Sequence, residues 1–131
     1  MAFTLNKIKD LLERKDVVCI ICDDGSTDGT SNFLKIEYPN IELIQNSESR
    51  GLIFSRNRLL NLTTTEFSIS LDDDANFVST NTLQYIIEYF YNNSDCGLIA
   101  LRVFWGLKEP EETTSNEKPQ HVQSFVCCAH V

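Results

Sequence analysis

Two apolar runs in this chain stop abruptly in clusters of carboxylates, and any fold must accommodate both. The first is "VVCIICDDGSTDGT", residues 17–30; the second is "FSISLDDDANF", residues 67–77. Val17 to Cys22 is a continuous β-branched and Cys run, the pattern of a buried strand. Phe67 to Leu71 alternates apolar residues with serine, the pattern of a strand with one polar face. Asp23 and Asp24 end the first run, and Asp72, Asp73 and Asp74 end the second. Carboxylates this close either raise one another's pKa or hold a cation.

The segments between the two runs set the fold class. Residues 5–14 place Leu5, Ile8, Leu11 and Leu12 at helical spacing. A helix is expected from Asp28 to Ile36, with Ser26, Thr27 or Asp28 as N-cap and Tyr38-Pro39-Asn40 as its stop. Ile41 to Gln45 reads as a short strand and residues 52–62 as a helix. Ser79 to Tyr91 carries Leu83, Ile86, Ile87 and Phe90 on one helical face, and Leu98 to Trp105 is an apolar strand pattern. Residues 106–119, "GLKEPEETTSNEKP", are acidic and Pro-containing and read as a mobile loop, with a last strand over Val122 to Val131. Strands alternating with helices predict an α/β fold with a mostly parallel sheet flanked by helices. A length of 131 residues suits one domain.

Charge and cysteine usage narrow the functions. Lys and Arg total 11 against 19 Asp and Glu, a net charge of −8. That balance gives no basic footprint for nucleic acid and disfavours anionic membrane surfaces. No apolar run approaches the ~20 residues of a membrane span. The N-terminus lacks an apolar signal core, so a cytoplasmic location is expected. Five cysteines, an odd number, argue against a disulfide framework. Cys19 and Cys22 form a CxxC within a strand, where residues three apart point to opposite faces. One such pair cannot complete a tetrahedral metal site, and the cysteines read as small buried hydrophobes.

In open parallel sheets the ligand site lies beyond the carboxyl ends of the strands, which is where both aspartate clusters fall. Carboxylate oxygens are hard ligands that favour Mg²⁺ or Mn²⁺. A magnesium site built on one or two carboxylates takes its other ligands from water and phosphate, which points to a nucleotide diphosphate. Three other readings compete. Asp72-x-Asp74-x-Asn76 begins like an EF-hand loop, but Phe77 and Leu83 stand where Gly and Glu are needed. A phosphatase with an aspartyl nucleophile would place its DxD after the first strand, not the third. Taken alone, DDGSTDGT is also an ordinary turn and helix cap.

With those residues in view, the chain resembles the family 2 glycosyltransferases of the GT-A fold. "VVCIICDDGSTDGT" resembles that family's second-strand segment. "IELIQNSESRGLIFSRNRLLNL", residues 41–62, resembles the next strand, an Asn-containing turn with its Gly, and the following helix; "FSISLDDDANF" resembles the strand ending in the DxD motif. The three occur in the family's order, and the resemblance covers about residues 4–105.

The resemblance implies a Rossmann-like GT-A domain, residues 1–131, that binds a nucleotide diphosphate sugar and transfers the sugar to an acceptor hydroxyl. By position, Asp24 matches the carboxylate that pairs with the nucleotide base, usually uracil. Asp72 and Asp74 match the ends of DxD: Asp72 for ribose or metal, and Asp74 for the Mn²⁺ or Mg²⁺ that bridges the donor's phosphates. Asp73 fills the variable position. Arg50 and Arg56 lie in the segment whose basic residues approach the nucleotide. The chain also departs from the family pattern. Met1-Ala2-Phe3 and Thr4-Leu5-Asn6-Lys7 stand where the family has a full first strand and its turn, so the first strand is expected to be an incomplete stub. Direct pairing of the neighbouring strands, or a strand from a second copy in a homodimer, would close the gap. The later acidic motif that supplies the family's general base has no assignable counterpart, so the domain reads as shortened at both ends. A non-catalytic remnant or an interaction domain is the alternative reading.

Overall fold

The computed structural model describes residues 1–104 together with 106 and 119. The expected strand over Val122–Val131 and nearly all of the expected 106–119 loop lie outside the described residues. The chain divides into two compact units, Met1–Asn76 and Phe77–Val131.

The first unit is built on one β-α-β step. Strand β1 (Ile20–Asp23) leads through helix α3 (Thr30–Glu37) to strand β2 (Glu42–Gln45). The two strands pair in parallel, with Ile20 opposite Glu42 and Asp23 opposite Gln45. Helix α3 packs on β2, and helix α4 (Leu52–Leu62) packs on β1. Leu34, on α3, is 1% exposed and is the most deeply buried apolar side chain described. Helix α3 starts at Thr30, with Asp28 accepting a hydrogen bond from the Thr30 backbone N–H at 3.0 Å. This satisfies one of the orphan donors of the first turn.

The sheet is smaller than the sequence pattern predicts. Among the described residues it has two strands, and residues 67–71 and 98–104 join no ladder. With a single strand neighbour, Ile20 to Cys22 of β1 are half-buried rather than buried, and Val18 before them is 57% exposed. Cys19 and Cys22 are likewise half-buried free thiols, and burial pushes the Cys19 thiol pKa up.

The N-terminal residues also depart from expectation. Instead of a strand stub and turn they form helix α1 (Ala2–Lys7), followed by the short helix α2 (Lys9–Leu12). The helical break falls at Ile8, so the expected helix over residues 5–14 is split. A helix satisfies its backbone groups within the segment, here beginning with Leu5 N–H donating to the Met1 carbonyl at 3.0 Å. Leu5 and Thr4 are the buried members of α1, at 3% and 4% exposure. Direct pairing of β1 with residues 67–71 does not occur.

In the second unit, helix α5 (Thr82–Asn92) runs close to its expected bounds and buries Ile86. Replacing Leu34 with Ala removes the best-buried apolar side chain of the first unit and is expected to cost about 2–5 kcal/mol. Urea denaturation of Leu34→Ala beside wild type measures this. A loss under about 1 kcal/mol would show that α3 is not packed on β2 as described.

Candidate functional site

The parallel register carries the two strands out together. Asp23 pairs with Gln45, so the next residues, Asp24 and Asn46, leave the sheet side by side at its carboxyl edge. Asp23 is 3% exposed. Its carboxylate accepts from the Ser26 backbone N–H at 2.9 Å and from the Ser31 hydroxyl, which itself accepts from the Gln45 amide. Burial alone would raise the Asp23 pKa, but the Ser26 and Ser31 hydrogen bonds outweigh it and hold the carboxyl below its ordinary value.

Asp24 accepts from five separate donors. On Oδ1 these are Asn46 Nδ2 at 2.6 Å, Ser55 Oγ at 2.9 Å and the Arg50 backbone N–H at 3.0 Å. Oδ2 accepts from the Gly51 N–H at 2.8 Å, Ser49 Oγ at 2.9 Å and again the Arg50 N–H at 3.1 Å. A carboxylate offers about four lone-pair sites, so these donors saturate it. The Arg50 backbone and Asn46 side-chain hydrogen bonds, set against partial desolvation and aided by Gly51 and Ser55, hold the Asp24 pKa far below the usual carboxylate range. No positive side chain is needed to keep this aspartate charged.

Two glycines permit the arrangement. Gly25 has φ +81°, and a Cβ there would lie 2.6 Å from the Glu48 carbonyl carbon and 2.7 Å from the Ser49 nitrogen. The loop after β1 thus touches the loop after β2 with no room for a side chain. Gly51, with φ +87°, turns the chain into α4 while its N–H donates to Asp24.

Helix α4 also carries the link to the second cluster. Ser55 donates to Asp24, and the next residue, Arg56, donates through Nη2 to Asp72 Oδ1. Consecutive residues of one helix therefore hold Asp24 and Asp72, which draws both motifs to the same end of α4. Asp72 begins a turn closed by the Ala75 N–H donating to the Asp72 carbonyl at 3.1 Å, with Asp73 and Asp74 at its exposed corners. From α1, Thr4 Oγ1 donates to the Asp73 carbonyl at 2.7 Å and ties the turn down. The Asp74 side chain makes no hydrogen bond or ion pair among the described residues. Arg50 stacks its guanidinium on Phe54, 4.7 Å from the ring centroid, and lies 3.7 Å from Glu48.

Sequence reasoning singled out Asp24, Arg50, Arg56 and the Asp72–Asp74 turn, but not Asn46, Ser49, Ser55 or Arg58. Asn46 is 9% exposed and Ser55 is 7% exposed. Asn46 donates to both Asp24 and Ser55 Oγ, and its own Oδ1 accepts from Arg58 Nη1, which also reaches the Gln45 carbonyl at 3.1 Å. The usable signal was position: an Asn directly beyond a parallel strand, opposite an Asp directly beyond its neighbour.

No group of three or more His, Cys, Asp or Glu side chains is arranged to hold a metal among the described residues. Asp72 and Asp74 do offer hard oxygen donors in one turn. Two carboxylates suit a cation that takes its remaining ligands from water and phosphate, rather than one enclosed by protein.

Asp23 and Asp24 share a sign in the pH dependence of stability. Their folded pKa values lie below the unfolded value of about 3.9, so their contribution is complete above roughly pH 5 and fades as pH falls through 4 and below. Thermal melts from pH 3 to 7 should show this loss, and Asp24→Asn, which turns an amide toward N–H donors, should flatten the slope and lower the melting temperature at pH 7. A melting temperature independent of pH across this range would contradict the donor set. Gly25→Ala should also destabilise the fold at every pH, because the added methyl group meets backbone.

The model of the family described as "Glycosyl transferase family 2" matches residues 1–125 of the 131. No curated protein and no solved structure matches the chain. Among the described residues no helix is long and apolar enough to cross a membrane. The match spans the β1–α3–β2 step, the α4 segment and the aspartate turn alike, and its small parallel sheet with flanking helices is an incomplete version of the family's α/β architecture. On this match the chain belongs to glycosyl transferase family 2.

Proposed function

We propose that the edge formed by Asp24, α4 and the Asp72–Asp74 turn is a donor site for a nucleotide diphosphate sugar carried with Mn²⁺ or Mg²⁺. The observation that supports this most strongly is the pair of consecutive contacts from α4, Ser55 to Asp24 and Arg56 to Asp72. They join the segment proposed to meet the nucleoside with the turn proposed to meet the metal. Family membership supports glycosyl transfer as the reaction class, and in this reading the sugar passes from a nucleotide donor to an acceptor hydroxyl.

Each residue has a part in this reading. Asp74, exposed and without a protein partner among the described residues, holds the divalent ion with Asp72. The ion, once bound, would offset charge on the diphosphate leaving group. Asp73 lies at the same turn and faces solvent beside the ligand. Asp24 meets the uracil ring N–H of a UDP-sugar by exchanging one of its exposed donors, such as the Ser49 hydroxyl. Arg50 lies just before α4, stacked on Phe54 of that helix, where its guanidinium can approach the nucleotide. No residue is assigned as catalytic base, and the cytoplasm, where nucleotide sugars are made and used, is the compartment that suits a donor of this kind.

Calorimetric titration of UDP with and without Mn²⁺ tests the site. Binding is expected to strengthen with metal, and Asp74→Ala is expected to abolish that gain while leaving the fold intact by circular dichroism. Unchanged metal-dependent affinity in Asp74→Ala would remove Asp74 from the site. Release of sugar from a panel of nucleotide sugars distinguishes a transferase from a binding module, which retains UDP affinity without turnover.

A further inference from the structure

The Arg56–Asp72 ion pair has a consequence for how the site would load. Both groups are partly buried, with side-chain exposures of 21% and 33%. Arg56 is fixed to α4, one residue beyond Ser55, so consecutive residues reach the Asp24 anchor and the aspartate turn. A guanidinium and a divalent cation compete for the same carboxylate oxygens. The same guanidinium suits phosphate oxygens, which it binds in a planar, bidentate fashion.

We propose that Arg56 is the built-in counter-cation of Asp72, holding its carboxylate until a divalent ion carried by a nucleoside diphosphate displaces the guanidinium, which then turns to the ligand's phosphates. The inference rests on the donor-site reading above and makes Arg56 a positioning residue. In the free protein the Asp72 carboxylate is aimed by Arg56 and its turn is closed by the Ala75 N–H, so the turn does not depend on metal for its shape. In the loaded protein Asp72 and Arg56 have exchanged partners: carboxylate with metal, guanidinium with phosphate. No covalent bond is made or broken in the exchange: the Arg56–Asp72 ion pair gives way to a carboxylate–metal contact and a guanidinium–phosphate ion pair. The two positive charges that enter with the metal are offset by the negative charge of the diphosphate that carries it, so the site gains no uncompensated charge.

The exchange separates two affinities that an unmoving arginine would not. Arg56→Gln removes the competing cation, so Mn²⁺ alone, followed by the electron paramagnetic resonance of the free ion, should bind roughly fivefold tighter, the scale of one partly exposed ion pair. The same variant should bind UDP without metal roughly fivefold more weakly, by loss of the phosphate partner. Arg56→Lys, which keeps the charge, should lie closer to wild type in both. In the wild-type protein, which needs no variant to fold, the Arg56 side-chain Nε–H resonance should shift when Mg²⁺ and UDP are added together, and less with either alone. Wild-type binding of UDP with Mn²⁺, combined with unchanged Mn²⁺ affinity in Arg56→Gln or an unmoved Arg56 resonance, overturns the exchange and leaves the donor site standing. A wild-type protein that binds neither Mn²⁺ nor UDP overturns the donor site itself, and the exchange with it.

Discussion

The hydrogen bonds to the Asp24 carboxylate organise the first unit. Its oxygens draw in the side chains of Asn46, Ser49 and Ser55 and the backbone of Arg50 and Gly51. Those residues are the exit of β2, the turn after it and the first turns of α4. One side chain thus converts two short parallel strands and a helix into a single edge. The donors explain why the aspartate persists there. Hydrogen bonds to the charged form lower a carboxylate's pKa without a cation nearby, so the first aspartate cluster carries its charge on donors supplied by the fold.

The second cluster is held differently. Asp72 faces a guanidinium and Asp74 faces solvent. The first cluster is therefore held mostly by donors fixed in the fold, with the exposed Ser49 hydroxyl as its exchangeable member, and the second by an ion pair and solvent. The proposed donor site would use this division, because a mostly fixed anchor and a replaceable ion pair do different work. Helix α4 joins the two by placing Ser55 and Arg56 in sequence. Arg58, two residues on, braces Asn46 from behind, so the exit of β2 is fixed from two directions.

Much of this was legible in the sequence. The abrupt change from VVCIIC to DDGSTDGT marked the end of β1, and IELIQ followed by Asn46 marked β2. The 52–62 helix was read at its observed bounds. Family membership was legible in the order of three motifs. The misreadings share one cause. Residues 67–71 and 98–104 were assigned by local pattern and the N-terminal stub by family resemblance, whereas a strand requires a neighbour to take its hydrogen bonds. Residues 1–7 form a helix, which needs no neighbour, and 67–71 enter no ladder. The polar anchors Asn46, Ser49 and Ser55 were missed because their significance comes from the register of β1 against β2. No local pattern records that register.

The central claim is that Asp24 and the Asp72–Asp74 turn open onto one ligand edge. Paramagnetic broadening measures this directly: ¹⁵N-labelled protein with UDP and trace Mn²⁺, followed by amide signal loss residue by residue. The expected result is concentrated broadening at 72–75 together with 24–26 and 49–51, dependent on UDP. Broadening of 72–75 without the other two segments, or loss spread evenly over exposed carboxylates regardless of UDP, would contradict the account.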